Sequence, residues 1–422
     1  MLSSQLWIHL APDMPLEWEQ SMLEGRDAEH FKGLCAEIAR TRDEQLAEIT
    51  EKALRRVPAR AGYPFIEPSD YEGIQKETPA GSRTWPKPPD GPALRDKLKG
   101  AWTGRIAGCL LGKPVEGYHR EKLRALLEET GNLPLGRYIG DFNKTLVQGA
   151  APVDDDTNYT VFAMKLIQTY GKGFAPDDVL EGWLQWIPFL MTCTAERAAY
   201  RNAAGGLTAP RTATHKNPYR EWIGAQIRGD FYGYINIGAP KAAAEMAWRD
   251  ASVSHVKNGI YGAMFAAALI AASAVCGDTR EAVEAALNEI PRNCRLRHDI
   301  DKVLQWRDGG VPAEAAADKI HQTYDEKTPA GWCYTNPNAM VVAAALLYGE
   351  KDFAKTIGFA VQAAFDTDCN GATAGSAIGI MLGAGGIDPI WPEGFHSRLK
   401  TSVEGYETVS IDELAAKTEA LL

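Results

Sequence analysis

Apolar residues recur along most of the chain at the spacing of a helix and almost nowhere at the spacing of a strand. Tyr159, Phe162, Ala163, Leu166, Ile167 and Tyr170 stand at i, i+3, i+4, i+7, i+8 and i+11, one stripe along one helix face. Ala-rich runs of the same character recur at 242–249, 259–276, 281–290, 312–321, 338–348, 353–365 and 371–384. Alternating β-branched segments with hairpin turns are nearly absent, and no repeat recurs at a period of roughly 20–50 residues. From Leu94 onward the pattern predicts an all-α domain whose many Ala and Gly contacts let helix axes approach closely.

Ahead of that domain, residues 17–57 predict one or two amphipathic helices. Phe31, Leu34 and Ile38 fall at i, i+3 and i+7, and Leu46, Ile49 and Ala53 repeat the spacing. Pro58 to Pro92 is dense in Pro and Gly, including Pro86-Lys87-Pro88-Pro89-Asp90-Gly91-Pro92, a composition expected to hold no regular element. The boundary therefore falls near Pro92: residues 1–92 form a helical extension and linker, and residues 93–422 the main domain.

Charge narrows the class of partner. The 422 residues carry 45 Lys and Arg against 55 Asp and Glu, a net charge of −10, which argues against a phosphate-backbone ligand. The seven cysteines (35, 109, 193, 276, 294, 333 and 369) are scattered and form no CxxC pair, as in a reduced cytosolic protein. Met1-Leu2-Ser3-Ser4-Gln5-Leu6-Trp7 lacks the basic start and long apolar core of a signal peptide. Gly259 to Gly277 carries no charge, but its alanines suit a tightly packed buried helix better than a bilayer. The expectation is a soluble cytoplasmic protein with neither nucleic-acid nor membrane partner.

Two acidic clusters carry the candidate chemistry. Val153-Asp154-Asp155-Asp156-Thr157-Asn158 immediately precedes the striped helix, and Asp366-Thr367-Asp368-Cys369-Asn370-Gly371 precedes the helix expected at Ala372–Gly383. Asp at a helix N-terminus caps orphan N–H groups, a contribution of about 0.5–2 kcal/mol. Capping needs one carboxylate, however, and neighbouring ones repel. A divalent cation relieves that repulsion, and Mg²⁺ and Ca²⁺ select clustered carboxylate oxygens. Convergence of the two helix starts would place five carboxylates around one or two ions.

Three further stretches stand out. Gly104, Gly108 and Gly112 are spaced i, i+4 and i+8, which reads as a bare stripe for close helix packing; no strand precedes it, so it is no dinucleotide fingerprint. Glu116 follows in a Pro/Gly turn, where a loop carboxylate can reach a cleft or stay solvated. In Glu221–Tyr234, Gly224, Ala225 and Arg228 offer backbone N–H groups and a cation for phosphate, or else an ordinary aromatic turn. His255 is either a structural histidine or a ligand contact, and the remaining histidines show no zinc spacing.

Taken in order, these stretches resemble the ADP-ribosylglycohydrolase family, which includes enzymes that release ADP-ribose from arginine or serine. The resemblance spans roughly Lys97 to Ile387 and rests chiefly on Asp155-Asp156-Thr157 and on Asp366-Thr367-Asp368 followed by Ala372, Ala374-Gly375 and Gly379. It implies a compact orthogonal multi-helix domain holding Mg²⁺, as one or two ions, with Asp155, Asp156, Asp366 and Asp368 as ligands. Asp154 stands where the family usually has Thr or Ser, and Cys369 where it has Thr. Both join the expected ligand set, and Mn²⁺ becomes an option. Gly224, Ala225 and Arg228 match a phosphate-contacting loop whose usual preceding Asn is Ile223 here; His255 joins them as a substrate contact.

The implied reaction is hydrolysis of a ribosyl glycosidic bond, with Glu116 and Asp156 as the catalytic carboxylates. The substrate is then a small ribosyl or ADP-ribosyl compound. Two alternatives stay open: an N-ribosidase of a small nucleoside or nucleotide, and a non-enzymatic structural relative. The aglycone, the oligomeric state and the role of residues 1–92, as lid or subunit contact, are not encoded in these patterns.

Overall fold

The structure is a computed structural model and describes residues 5–79, 81, 85–140 and 144–422. The readings of Met1–Ser4 and of positions 80 and 82–84 in the Pro/Gly-rich loop lie outside the described residues.

Helices dominate, as the 3.6-residue pattern requires. The N-terminal segment contains α1 (Met14–Leu23), α2 (Lys32–Thr41), α3 (Glu44–Leu54) and α4 (Tyr71–Glu77). The main body begins with α5 (Gly91–Gly112) and α6 (Arg120–Glu129), then α7 (Asp155–Tyr170), α8 (Pro176–Trp186), α9 (Thr194–Ala204) and α10 (Arg211–Thr214). It continues through α11 (Asp230–Tyr234), α12 (Pro240–Ala251), α13 (Lys257–Ser273), α14 (Thr279–Leu287), α15 (Arg295–Asp308) and α16 (Ala313–Thr323). The last helices are α17 (Pro329–Cys333), α18 (Thr335–Tyr348), α19 (Phe353–Gln362), α20 (Thr367–Leu382), α21 (Ile390–Glu393) and α22 (Ile411–Glu419). Between α21 and α22, β1 (Arg398–Lys400) and β2 (Thr408–Ser410) pair antiparallel, with Leu399 opposite Val409.

Most of the uncharged stretch, from Gly259 to Ser273, lies in α13, which is buried along nearly its whole length among the other helices. Among the described residues, no helix is long and apolar enough to cross a membrane.

Two features of the N-terminal segment differ from the expectation. It folds as three short helices before Val57, and their buried arcs run through Cys35 and Ile38, and through Ala47, Thr50, Glu51 and Leu54. Leu34 and Ile49 are left exposed, at 39% and 65%. In helices this short, tertiary docking sets which arc is buried, and Glu51 faces inward to accept from Arg55 Nη2 and Lys216 N. The Pro/Gly-rich loop also holds a regular element, α4, because Asp70 caps it by accepting from Gly73 N at 2.8 Å.

The first three helices surround a small apolar cluster of their own, from Leu10 and Met14 to Ile38 and Leu54. Ionic bonds fasten them to the main body. The buried Arg220 guanidinium donates to Glu17 Oε2 at 2.6 Å and to Glu24 Oε1 at 2.8 Å. Gln20 Nε2 donates to Glu221 Oε1 at 2.6 Å, and Arg295 links Glu221 to Glu67 at 2.8 and 2.7 Å. Buried charges are stable only when matched in this way, so the docking of α1 is specific rather than merely greasy.

The central packing unit is the antiparallel pair α5 and α20. Gly100, Gly104 and Gly108 face Gly379, Gly375 and Gly371 respectively, while Gly112 faces the backbone of Thr367. A Cβ on Gly104 would lie 1.9 Å from Gly375 O, and one on Gly108 would lie 1.9 Å from Gly371 O. The obstacle is backbone, which no rotamer change removes. Gly104→Ala is accordingly expected to destabilise the protein by about 3 kcal/mol in denaturant unfolding. Gly33→Ala on exposed α2, with nothing within 4 Å of its Cβ, is expected to stabilise by about 0.5–1 kcal/mol.

Candidate metal centre and active site

The zipper of glycines fixes where the second acidic cluster sits. α20 begins at Thr367 directly against the C-terminal end of α5, and Thr367 Oγ1 donates to Gly112 O at 3.0 Å. Asp366 occupies the N-cap position, yet its carboxylate caps nothing. Its backbone N–H donates instead to Asn338 Oδ1 at 3.1 Å, and Asn370 Nδ2 donates to the same oxygen at 2.8 Å. Before it, Ala364 and Phe365 both lie in the left-handed region, at φ 61° and 58°. Such conformations cost free energy in non-glycine residues and persist only where surroundings hold them. Trp332 Nε1 donates to Phe365 O at 2.7 Å, and the His321 ring stacks on Phe365 at 4.4 Å.

Arg105, about two turns before the C-terminal end of α5, brings in the first cluster. Its buried guanidinium donates to Asp156 O at 2.7 Å and Asp156 Oδ1 at 3.0 Å, and to Asp230 Oδ2 and Thr373 Oγ1 at 3.0 Å each. It also reaches Ile227 O at 2.8 Å. One side chain thereby ties α5, α7, α11 and α20 together around the acidic residues. The hairpin holds the segment from outside: Ala151 N donates to Arg398 O, and Asn158 exchanges hydrogen bonds with Ser402.

The two clusters meet. Oxygens of Glu116, Asp366 and Asp368 lie within 4.8 Å of one another, as do ligand atoms of Asp156, Asp368 and Cys369 and those of Cys109, Asp154 and Asp156. Asp154 does cap α7, accepting from Asp156 N at 3.0 Å, but only with Oδ1. Lys113 joins the clusters: its Nζ lies 2.8 Å from Asp154 Oδ2, 3.0 Å from Asp368 Oδ2 and 2.7 Å from Glu116 Oε2. Asp156 Oδ2 and Asp368 Oδ1 are buried without a hydrogen-bond partner.

Electrostatics follow from this crowding. Burial, and then the Asp154 charge, push the Asp155 carboxyl up to about 7, against the pull of Lys113. Burial and the neighbouring Asp368 raise Asp366 well above the usual carboxylate range. Burial also raises Glu116, with Asp368 adding to it and Lys113 opposing. The thiols of Cys109, Cys333 and Cys369 are likewise pushed up by burial and by adjacent carboxylates, so they stay protonated. This donor set suits a divalent ion that prefers oxygen. The carboxylates are clustered, two of their oxygens are orphaned, and the neutral thiols are poor ligands for Mg²⁺.

Gly224, Ala225, Arg228 and His255 are placed elsewhere. They are buried, and a Cβ on Gly224 would meet the Glu196 carboxylate at 2.2 Å. Arg228 pairs with Glu196 and with Asp250, the latter at 2.7 Å, and donates to Asp250 O and Ser254 Oγ at 3.0 Å. Its guanidinium also lies over Trp183 and Tyr159, at 5.1 and 5.6 Å from the ring centroids. Every nitrogen is engaged, which is the placement of a buried ion-pair centre and not of an exposed phosphate contact. His255 Nδ1 bonds Ser254 Oγ at 2.8 Å, and burial keeps the ring neutral by holding its pKa far below the ordinary value. Tyr159 connects this group to the acidic centre, one helical turn from Asp155.

Residue patterns alone did not single out Lys113, Arg105 or Asn338 as members of the site, nor the cysteines at 109 and 333. Lys113 carries a readable signal, a cation between Gly112 and Pro114 three residues before Glu116. Asn338 sits in an Ala-rich helix and carries none.

Residues 90–420 match the family description ADP-ribosylglycohydrolase. The chain belongs to the ADP-ribosylglycohydrolase family. Among solved structures, a chain of an "ADP-ribosylglycohydrolase-related protein complex" is similar at 20% identity and a TM-score of 0.47. The similarity covers 78% of this chain and 98% of that one. No curated protein matches. Membership makes this chain a relative of glycosyl hydrolases that act on ADP-ribosylated substrates, and its acidic clusters can hold a metal ion.

The raised Asp155 carboxyl has a definite sign. A carboxyl titrating near 7 when folded and near 3.8 when unfolded destabilises the ion-free fold increasingly as pH rises through that window. In chelator-treated protein, Asp155→Asn is expected to be more stable than wild type at pH 8, by on the order of 1–2 kcal/mol after allowing for solvent screening. The difference should vanish near pH 4, as read by thermal unfolding at both pH values.

Proposed function

We propose that this protein is a metal-dependent hydrolase of a ribosyl glycosidic bond. The observation that carries the reading is the meeting of Asp154–Asp156 with Asp366–Asp368, with Asp156 Oδ2 and Asp368 Oδ1 buried and unpartnered. Asp154, Asp155, Asp156, Asp366 and Asp368 would hold Mg²⁺, or Mn²⁺. Cys369, protonated at the edge of the cluster, would be a weak ligand. The ion would hold ribose hydroxyls and lower the pKa of a bound water.

The chain's own residues supply the rest. Glu116 is half exposed on the turn after α5 and has a raised pKa, which suits a group that takes a proton from water or gives one to the leaving atom. The Asp156 carboxylate, held by Arg105, would help to stabilise positive charge developing at the anomeric carbon.

A second reading changes the substrate to a small N-ribosyl nucleoside or nucleotide. It is favoured by Arg228, whose donors are spent on Glu196 and Asp250, leaving no cation at that loop for a diphosphate. We also keep residues 1–92 as an extension appended to a catalytic domain of 93–422; the family match from residue 90 and the separate apolar cluster of α1–α3 support that division.

The double variant Asp155→Asn with Asp368→Asn is expected to lose both divalent-ion binding and at least 10³-fold in turnover of a ribosyl substrate, about 4 kcal/mol of barrier. Retained turnover would refute the reading. Stabilisation of the metal-loaded protein by ADP-ribose, and not by simple ribosides, in a thermal-shift panel would refute the small-metabolite version.

A further inference from the structure

We propose that Lys113 is a built-in cation of the acidic centre, holding between the two clusters a position that a divalent ion would otherwise take. The inference rests on the metal-dependent reading above and refines it: the wild-type chain holds one fewer divalent ion than its carboxylates could accommodate.

Three observations support it. First, the ammonium is coordinated as a bridging ion would be. It takes one oxygen from each cluster, Asp154 Oδ2 at 2.8 Å and Asp368 Oδ2 at 3.0 Å, and a third from Glu116 at 2.7 Å. A divalent ion bonds carboxylate oxygens at roughly 2.0–2.6 Å, so it cannot enter that cradle while the ammonium stays.

Second, the residue is anchored at its root. Lys113 begins the short turn Lys113–Val115 with Pro114 fixed behind it, and Gly112 is pressed against the Thr367 backbone. The backbone therefore cannot carry the ammonium away. Only its side chain, 33% exposed, can swing toward solvent.

Third, the ammonium leaves specific oxygens unused. Asp156 Oδ2 and Asp368 Oδ1 are buried and unpartnered, although ligand atoms of Asp156 and Asp368 lie within 4.8 Å of one another across the two clusters and Lys113 stands beside Asp368. They define a remaining place for an ion, next to the one the lysine holds. Exchanging a hard divalent charge for a tethered monovalent one also keeps Glu116 ion-paired and oriented three residues along the turn.

The test counts ions on chelator-treated, full-length protein with Mn²⁺ alone as probe, by calorimetric titration and by the electron paramagnetic resonance signal of free Mn²⁺. Lys113→Met is expected to bind one more Mn²⁺ per chain than wild type, or the same number at least tenfold more tightly. Lys113→Arg, which keeps the charge, should behave as wild type. Equal stoichiometry and affinity in wild type and Lys113→Met would overturn the inference while leaving the metal reading intact. Binding by neither protein would overturn both. Should Lys113→Met fail to fold by circular dichroism, Lys113→Gln gives the same comparison with a polar side chain of similar reach.

Discussion

The backbone contact between α5 and α20 is the constraint on which the candidate site depends. Glycine facing glycine over three successive turns lets the two helices touch without side chains between them. That contact delivers the start of α20, with Asp366 and Asp368, to the end of α5, where Lys113 and Glu116 emerge. Arg105, on the same helix, then fixes the first turn of α7 through Asp156. A single rigid helix pair thus positions both halves of an acidic centre that are separated by some two hundred residues of chain.

Such a centre is costly to assemble, and the structure shows how the cost is met. Burial and mutual repulsion raise Asp155 and Asp366, and two carboxylate oxygens lack partners. Consecutive left-handed residues, Ala364 and Phe365, add backbone strain beside Asp366. Arg105 and Lys113 offset part of the negative charge, and the dense packing of alanine-rich helices around the site absorbs the strain. Folding alone has no use for this concentration of like charge, and a bound cation would give it one.

A different use of buried charge appears at the docking of the N-terminal helices and around Arg228. Arg220, Arg295 and Arg228 are each matched by two carboxylates, and few of their donors are idle. These networks fix geometry. The one carrying Arg228 shares Tyr159 and the 223–228 turn with the acidic centre, and so it braces α7 from behind.

Much of the fold was legible in the chain, because helical periodicity is a local property. The stripe of α7, the alanine-rich helices, the glycine spacing on α5 and the two Asp clusters at helix starts are all set by neighbours within a few residues. Where local preference was weak, in α1–α3 and α4, docking and one Asp cap decided the outcome instead. Whether the Asp clusters face one another could not be read from spacing, since it depends on glycine-to-glycine contact across the whole domain. The same holds for the burial of Arg228 against Glu196 and Asp250 and for the seat of Lys113 between Asp154 and Asp368. The sequence by itself determined most of the helices and the kinds of chemical group available. Only the tertiary structure decided which groups meet, because proximity between residues remote along the chain is a property of packing and not of local conformation.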